Sequence, residues 1–220
     1  MFTAQSTLGE LVADRPDAAR TLHRHGLDFC CGGRQSIESA CRARGLDPEA
    51  LLDEIDRQTP PAVEAKNWKE ATLDELIQHI LERYHEPLKG ELPRLADLAG
   101  KVERAHADKA DSPRGLSDLL REVVISVDSH LAKEERILFP AIRAGRGAMA
   151  RGPVQAMMLE HEDHGKNLLR IREITGNLAL PSYACSSWTE LYRALAELER
   201  DLMDHIHLEN NILFPRALVE

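Results

Sequence analysis

Apolar residues recur every three or four positions along most of the chain, and nowhere over a useful length do they alternate with period two. The pattern predicts helices and no sheet. Over residues 116–143 the line Leu116, Leu120, Val123, Val127, His130, Glu134, Ile137 advances by alternating steps of four and three, and Leu191, Leu195, Leu198, Leu202, His205, Glu209, Ile212 does the same over 187–213. An earlier helix starts at the capping box Thr72-Leu-Asp-Glu75 and runs past His85, with Ile77, Leu81, His85, Leu88, Leu92 and Leu95 on one side. A third, near 153–175, lines up Val154, Met157, His161, His164, Leu168 and Ile171. Each stripe is the core-facing side of a helix. Gly-, Pro- and Ser-bearing breaks at 107–115, 145–152 and 176–187 separate them, so an up-down four-helix bundle is expected.

The first sixty residues carry helix punctuation of their own. Thr7-Leu-Gly-Glu10 is a capping box, Gly26 and Gly45 close periodic runs, and Asp47-Pro48 opens another helix. Thr59-Pro-Pro cannot continue a helix and reads as the start of a linker. The expected organisation is therefore all-α: a small helical N-terminal domain over 1–59, a linker over 60–71 and the bundle over 72–220.

Four of the seam positions hold histidine and two hold glutamate, and this changes the picture. His130 and Glu134 open an H-x-x-x-E-x-x-I-L-F-P stretch that is repeated 75 residues later from His205 and Glu209; His85 and His161 lie 76 apart. Side chains four apart on a helix share a face, so each copy aims an imidazole and a carboxylate in one direction. The spacing suggests a duplicated helical hairpin around a pseudo-two-fold axis. A carboxylate on a core seam is costly unless it is paired or metal-bound, and those helices offer no seam Lys or Arg. The expected ligands are His85, His130, Glu134, His161, His205 and Glu209. Such a nitrogen and oxygen set suits two first-row ions, with iron favoured and a pair of zinc ions also compatible.

Around that set, His164 fits the seam as a flanking or supporting residue. Glu160 and Asp128 are candidates to orient ligand imidazoles, while Glu135 reads as surface charge and His79 as solvated. His207, two after His205, must point away from the ligands. Cys30 and Cys31 admit three readings: binding or relaying a metal, acting as a redox pair with an external thiol, or packing at a Gly-Gly turn, with His23 and His25 nearby in sequence. Cys41 and Cys185 show no partner signal.

Composition adds exclusions. The net charge of -9 disfavours nucleic acid and anionic membranes, and no window approaches the roughly 20 apolar residues of a membrane span. Four cysteines, two of them adjacent, are too few for a disulfide scaffold. A cytoplasmic protein, monomeric or homodimeric, is expected.

From Leu73 to Leu218 the chain resembles a hemerythrin-type domain, and over nearly its full length it resembles the iron-sulfur cluster repair di-iron proteins. The resembling pieces are Asp28-Phe-Cys30-Cys31-Gly32-Gly33, Arg83-Tyr-His85, Val102-Glu-Arg-Ala-His106-Ala-Asp-Lys109, Glu160-His161-Glu-Asp-His-Gly165 and the stretch from Asp204 to Leu218. The resemblance implies two non-haem iron ions, oxo- or hydroxo-bridged, with Glu134 and Glu209 as shared ligands and the four histidines at the ends. It implies repair of iron-sulfur proteins damaged by nitric oxide or peroxide, as an iron donor more than a turnover enzyme, with release of an ion on protonation or reduction of the bridge. It also implies a supporting role for His106 and a part for Cys30 and Cys31 in redox or delivery steps. The chain departs from oxygen-carrying hemerythrins in two places: Gly165 stands where a further histidine ligand is expected, and Glu209 where an aspartate is. That favours a labile centre over oxygen storage. A sensor or scavenger of oxygen or nitric oxide, and an enzyme consuming nitric oxide or peroxide, are the alternatives.

Overall fold

A computed structural model describes residues 2–57 and 66–220. Four short helices form the N-terminal unit: α1 (Leu8–Asp14), α2 (Ala18–Arg24), α3 (Ile37–Arg44) and α4 (Pro48–Asp56). Their ends obey the local sequence. Thr7 and Glu10 cap each other's backbone, Gly45 takes the left-handed conformation at φ +67°, and Asp47 accepts from the Glu49 N–H with Pro48 in the first turn. Among the described residues there is no β-strand, only an isolated antiparallel bridge between Thr7 and Ser36.

Four long helices make the bundle. The first, α5, covers residues 73–105; α6 covers 116–143; α7 is Arg151–Ile174; α8 covers 186–217. Three of them contain one wide π turn, at Leu81–His85 in α5, Glu134–Leu138 in α6 and Glu209–Leu213 in α8. In each, the first backbone N–H past the turn bonds five residues back: Glu86 to Leu81, Phe139 to Glu134 and Phe214 to Glu209. A proline follows one residue later, at Pro87, Pro140 and Pro215. Proline has no N–H for the carbonyl four residues back and its ring crowds that carbonyl, so a turn carrying one extra residue accommodates it. Pro93 sits in ordinary α-helix within α5, so a proline alone does not create the wide turn.

The extra residue corrects the expected seam. Ile137 is 62% exposed, whereas Leu138, one position later, is 2% exposed. In α8 both Ile212 and Leu213 are buried. Leu81 is only half-buried and Ile80 takes the interior place. The α7 stripe, which has no wide turn, is buried at all six expected positions.

Of the expected linker, residues 60–65 lie outside the described residues. Residues 66–71 lie against both parts of the molecule: Arg216 donates to the carbonyls of Trp68 and Ala71, at 3.2 and 2.7 Å, and Lys69 pairs with Asp14 of α1 at 2.6 Å. Leu22 and Phe29 of the N-terminal unit share one continuous buried cluster with Leu198, Leu202 and Ile206 of α8. Each such fully buried aliphatic side chain contributes roughly 1.5–3 kcal/mol. His207 does point away from the ligand histidines, but into this interface: it is buried, with the Phe29 ring edge-on at 5.8 Å.

Candidate metal centre

The wide turns of α5, α6 and α8 begin or end at a seam His or Glu, and they bring those residues to the level of His161 on the unbroken α7. Two donor groups result, His85, Glu134, His205 and Glu209 in one, His130, Glu134, His161 and Glu209 in the other. Within each group one ligand atom per residue lies within 4.8 Å of all the rest, and all six side chains are buried. His85 and His205 approach Nε2 to Nε2 at 3.0 Å, as do His130 and His161. Glu134 Oε2 lies 3.3 Å from His130 and 3.6 Å from His85; Glu209 reaches His205 at 3.0 Å and His161 at 3.2 Å.

This arrangement fits a cation. Both oxygens of Glu134 and one of Glu209 are buried with no hydrogen-bond partner among the described residues, a state that costs several kcal/mol per ion unless a positive charge is near. Burial works against charge on His130, yet the carboxylates of Glu134, Glu209 and Glu160 outweigh it and lift the imidazole to about 9. Burial likewise opposes the charge of Glu209, and the surrounding His205, His161 and His85 hold its carboxyl well below the usual range.

The Nδ1 atoms decide how each imidazole is held. His85 Nδ1 meets Glu135 Oε1 at 2.9 Å, and Glu135 also takes a bond from Lys89. His130 Nδ1 meets Glu160 Oε2 at 3.0 Å, and Lys133 binds the other oxygen of Glu160. His161 Nδ1 meets the amide oxygen of Asn210 at 2.8 Å. His205 Nδ1 has no partner among the described residues; Tyr84 stacks on its ring at 5.5 Å. When Nε2 faces a metal the proton sits on Nδ1, so each acceptor there fixes the tautomer and the ring orientation. Phe139 and Phe214, from the two I-L-F-P copies, stack against His85 and His161.

The structure corrects several expectations. Glu135 is no idle surface charge, since it holds His85. Asp128 is exposed and takes no part in the cluster. His106 caps the far end of α5, about 30 Å along the helix from His85, where its Nε2 lies 3.2 Å from Cys185 Sγ and its ring packs on Trp188. It cannot support the ligands, and Cys185 has a partner after all. His79 is half-buried and stacked on Trp68 at 4.1 Å, not solvated. His164 is buried 5.0 Å from the His130 ring with neither nitrogen hydrogen-bonded, and burial pushes it down to about 3, so it flanks the cluster as a neutral ring. His23 and His25 face Glu199 and Glu54, not the cysteines. Cys41 is fully buried in the core.

Cys30 and Cys31 lie over α7. The Cys31 thiol donates toward the His161 carbonyl at 3.4 Å, and a Cβ added to Gly165 would stand 3.8 Å from the same sulfur. Asn210 was not singled out from the sequence. Its amide accepts at His161 and donates to the Cys30 carbonyl at 3.2 Å, linking a ligand to the double-cysteine loop. The signal for it was the repeat itself, since Asn210 lies 75 residues after Glu135.

A four-helix bundle holding four inward histidines and two shared glutamates defines a hemerythrin-type cation-binding protein, and residues 76–217 match the family described as the Hemerythrin HHE cation binding domain. Residues 4–59 match a second family, described as a domain of unknown function. The iron-sulfur cluster repair protein YtfE of Musicola paradisiaca strain Ech703 is 44% identical over 99% of this chain and 98% of its own length. That of Enterobacter sp. strain 638 is 44% identical over 96% of each, and that of Escherichia coli O8 strain IAI1 is 43% identical over 96% of each. The chain belongs to this family of iron-sulfur cluster repair proteins.

Proposed function

We propose that the chain is a non-haem di-iron protein that restores iron-sulfur clusters damaged by nitrosative or oxidative stress, chiefly by supplying iron. The observation that carries this is the pair of four-donor groups sharing Glu134 and Glu209, in a chain similar end to end to iron-sulfur cluster repair proteins. His85 and His205 would hold one ion, His130 and His161 the other, and the two glutamates both. Iron held there supplies an exchangeable, redox-active cation. The protein's own part is positional. Glu135 and Glu160 hold the Nδ1 protons of His85 and His130, and Lys89 and Lys133 balance the outer charge of those carboxylates.

Release is favoured where support is least. His205 lacks an Nδ1 acceptor and lines a surface cleft of about 390 Å³ together with Arg83, Tyr84 and Leu202. Gly165 offers no ligand, which keeps the donor count low for lasting retention. Residues 1–59 act as a delivery domain, joined through 60–71 to the bundle of 72–220, with Cys30 and Cys31 at its working face. No helix among the described residues is long and apolar enough to cross a membrane, in keeping with action in the cytoplasm.

The test is anaerobic reactivation of a dehydratase whose cluster has been destroyed by nitric oxide. Iron-loaded protein is expected to restore activity in proportion to iron transferred, and apoprotein is expected to be inert. Elemental analysis should give two irons per chain. One zinc and no iron, or equal repair by apoprotein, defeats the reading.

A further inference from the structure

The loop that carries the adjacent cysteines places three donors together outside the bundle. Cys30 Sγ and Cys31 Sγ are 3.7 Å apart, and Asp28 Oδ1 is 3.2 Å from Cys30 Sγ. All three residues offer one ligand atom within 4.8 Å of the others. Two sulfurs bonded to one tetrahedral ion at about 2.3 Å stand about 3.8 Å apart, and a carboxylate oxygen at about 2.0–2.2 Å stands roughly 3.5 Å from each. Two of the edges, between the sulfurs and from Asp28 to Cys30, already match such a site to within a few tenths of an ångström, and the third lies within 4.8 Å. A metal would enter with little movement of the loop.

The loop is also built to stay in that shape. The backbone N–H groups of Cys30 and Cys31 both donate to Asp28 Oδ1, at 3.1 and 2.9 Å, which fixes the carboxylate beside the thiols. From the bundle, Asn210 and Asn211 donate to the carbonyls of Phe29 and Cys30. Gly33 admits this approach, since a Cβ there would collide with the Asn211 amide. The Cys31 thiol alongside, burial, and the Asp28 charge push the Cys30 thiol well above its usual range. Crowding of this kind is relieved by a cation, because a coordinated thiol is deprotonated outright.

We propose that Asp28, Cys30 and Cys31 form a second metal site, for one thiophilic divalent cation of the Fe(II) or Zn(II) type. Uptake replaces both thiol protons by the ion: two metal–sulfur bonds form, two S–H bonds break, and the protons pass to solvent with no change of oxidation state. Because Cys31 adjoins the His161 turn of α7, the site is placed to take the more firmly held ion, that of the His130 and His161 half, by a route separate from the cleft beside His205. That last role rests on the iron-supply reading; the site itself does not.

Anaerobic titration of the full-length apoprotein with Co(II) separates the two. Thiolate ligation is read from sulfur-to-cobalt charge transfer in the near ultraviolet and from proton release. The band is expected in the wild type and undiminished in Glu134→Ala/Glu209→Ala, where the bundle site is broken. It should vanish in Cys31→Ser, and in Cys30→Ser if that buried change still folds. Asp28→Asn keeps the acceptor for the two backbone N–H groups but loses the charge, and should weaken binding by roughly 10- to 100-fold, the range seen even for partners one layer out from a metal. A wild type with no thiolate band, or a band that survives Cys31→Ser unchanged, overturns the site. If the band behaves as expected while iron-loaded protein fails to repair clusters, only the delivery role falls.

Discussion

In one half of the centre the Nδ1 atom of His85 meets the carboxylate of Glu135, whereas the equivalent imidazole in the other half, His161, meets the neutral amide of Asn210. The same offset of 75 or 76 residues relates His130 to His205, Glu134 to Glu209, Phe139 to Phe214 and Tyr84 to Glu160. Each half therefore has one imidazole supported by a carboxylate, His85 or His130. The remaining histidines differ. His205 has a tyrosine ring over it, no Nδ1 partner and a cleft beside it; His161 is tied through Asn210 to the double-cysteine loop. Equivalent places in the repeat thus hold two unequal positions, one beside a cleft and one wired to the N-terminal unit.

The largest effect is expected where the halves are shared. Glu134→Ala or Glu209→Ala should each remove both ions, because each carboxylate belongs to both donor groups, whereas His205→Ala should spare the ion between His130 and His161. Metal content per chain after desalting decides the matter, and one ion retained in Glu134→Ala would falsify the shared role.

A smaller effect should resolve the halves. Glu135→Gln and Glu160→Gln each take the anionic acceptor from a single imidazole, so each is expected to weaken one ion by about 10- to 100-fold and leave the other. Chelator competition on the wild type should show two phases, the faster from the His85 and His205 side. Glu135→Gln should speed the fast phase and Glu160→Gln the slow one. Asn210→Leu should quicken the slow phase by less, and at the same time raise amide exchange around Phe29 and Cys30, a coupling that Glu135→Gln should lack. A single phase in the wild type would mean that the halves are equivalent and that the differences at Nδ1 have no consequence for binding.

Docking of the N-terminal unit has its own pH dependence. Burial opposes the charge of Glu199, but His23 and Arg172 more than compensate and hold its carboxyl below the ordinary value. A carboxyl depressed in the folded state stabilises it above the unfolded-state value near 4.3 and loses that contribution as pH falls through the depressed one. Glu199→Gln should therefore lower stability by about 1–2 kcal/mol at pH 7, with the gap closing as the medium is acidified below pH 4. Urea denaturation across pH 3–7 measures it; a gap that widens with acid contradicts the sign.

The convergence of the six candidate donors was legible because they obey helix periodicity and the motif recurs, and both follow from placing inward-facing polar groups on helices. The N-terminal caps at Thr7, Asp47 and Thr72 were legible for the same local reason. The supporting contacts were not. Glu135 reads as surface because on an ordinary α-helix it would turn away from His85, and the separation of His106 from the ligands follows only from where the helices run. The I-L-F-P ending carried a further signal, a proline just past each wide turn, but Pro93 shows that such a signal is incomplete without the packing around it.

That register shift also separates the two copies of the motif. Ile137 and Ile212 occupy the same place in the repeat, yet Ile137 is 62% exposed and Ile212 is 4% exposed. In both, the wide turn hands the inward position to the following leucine, Leu138 or Leu213, and so rotates the isoleucine outward. On α8 that outward side faces the N-terminal unit, where Asn211 binds the Phe29 carbonyl and Ile212 shares a cavity wall with Val12 and Trp68. On α6 nothing among the described residues covers it. Ile212→Val should then cost about 0.5–1.5 kcal/mol, as for a buried methylene, while Ile137→Val stays within about 0.5 kcal/mol. Equal costs would mean that the N-terminal unit does not cover α8 in solution, and with it would go the physical reason for treating the His161 half as the one wired to Cys30 and Cys31.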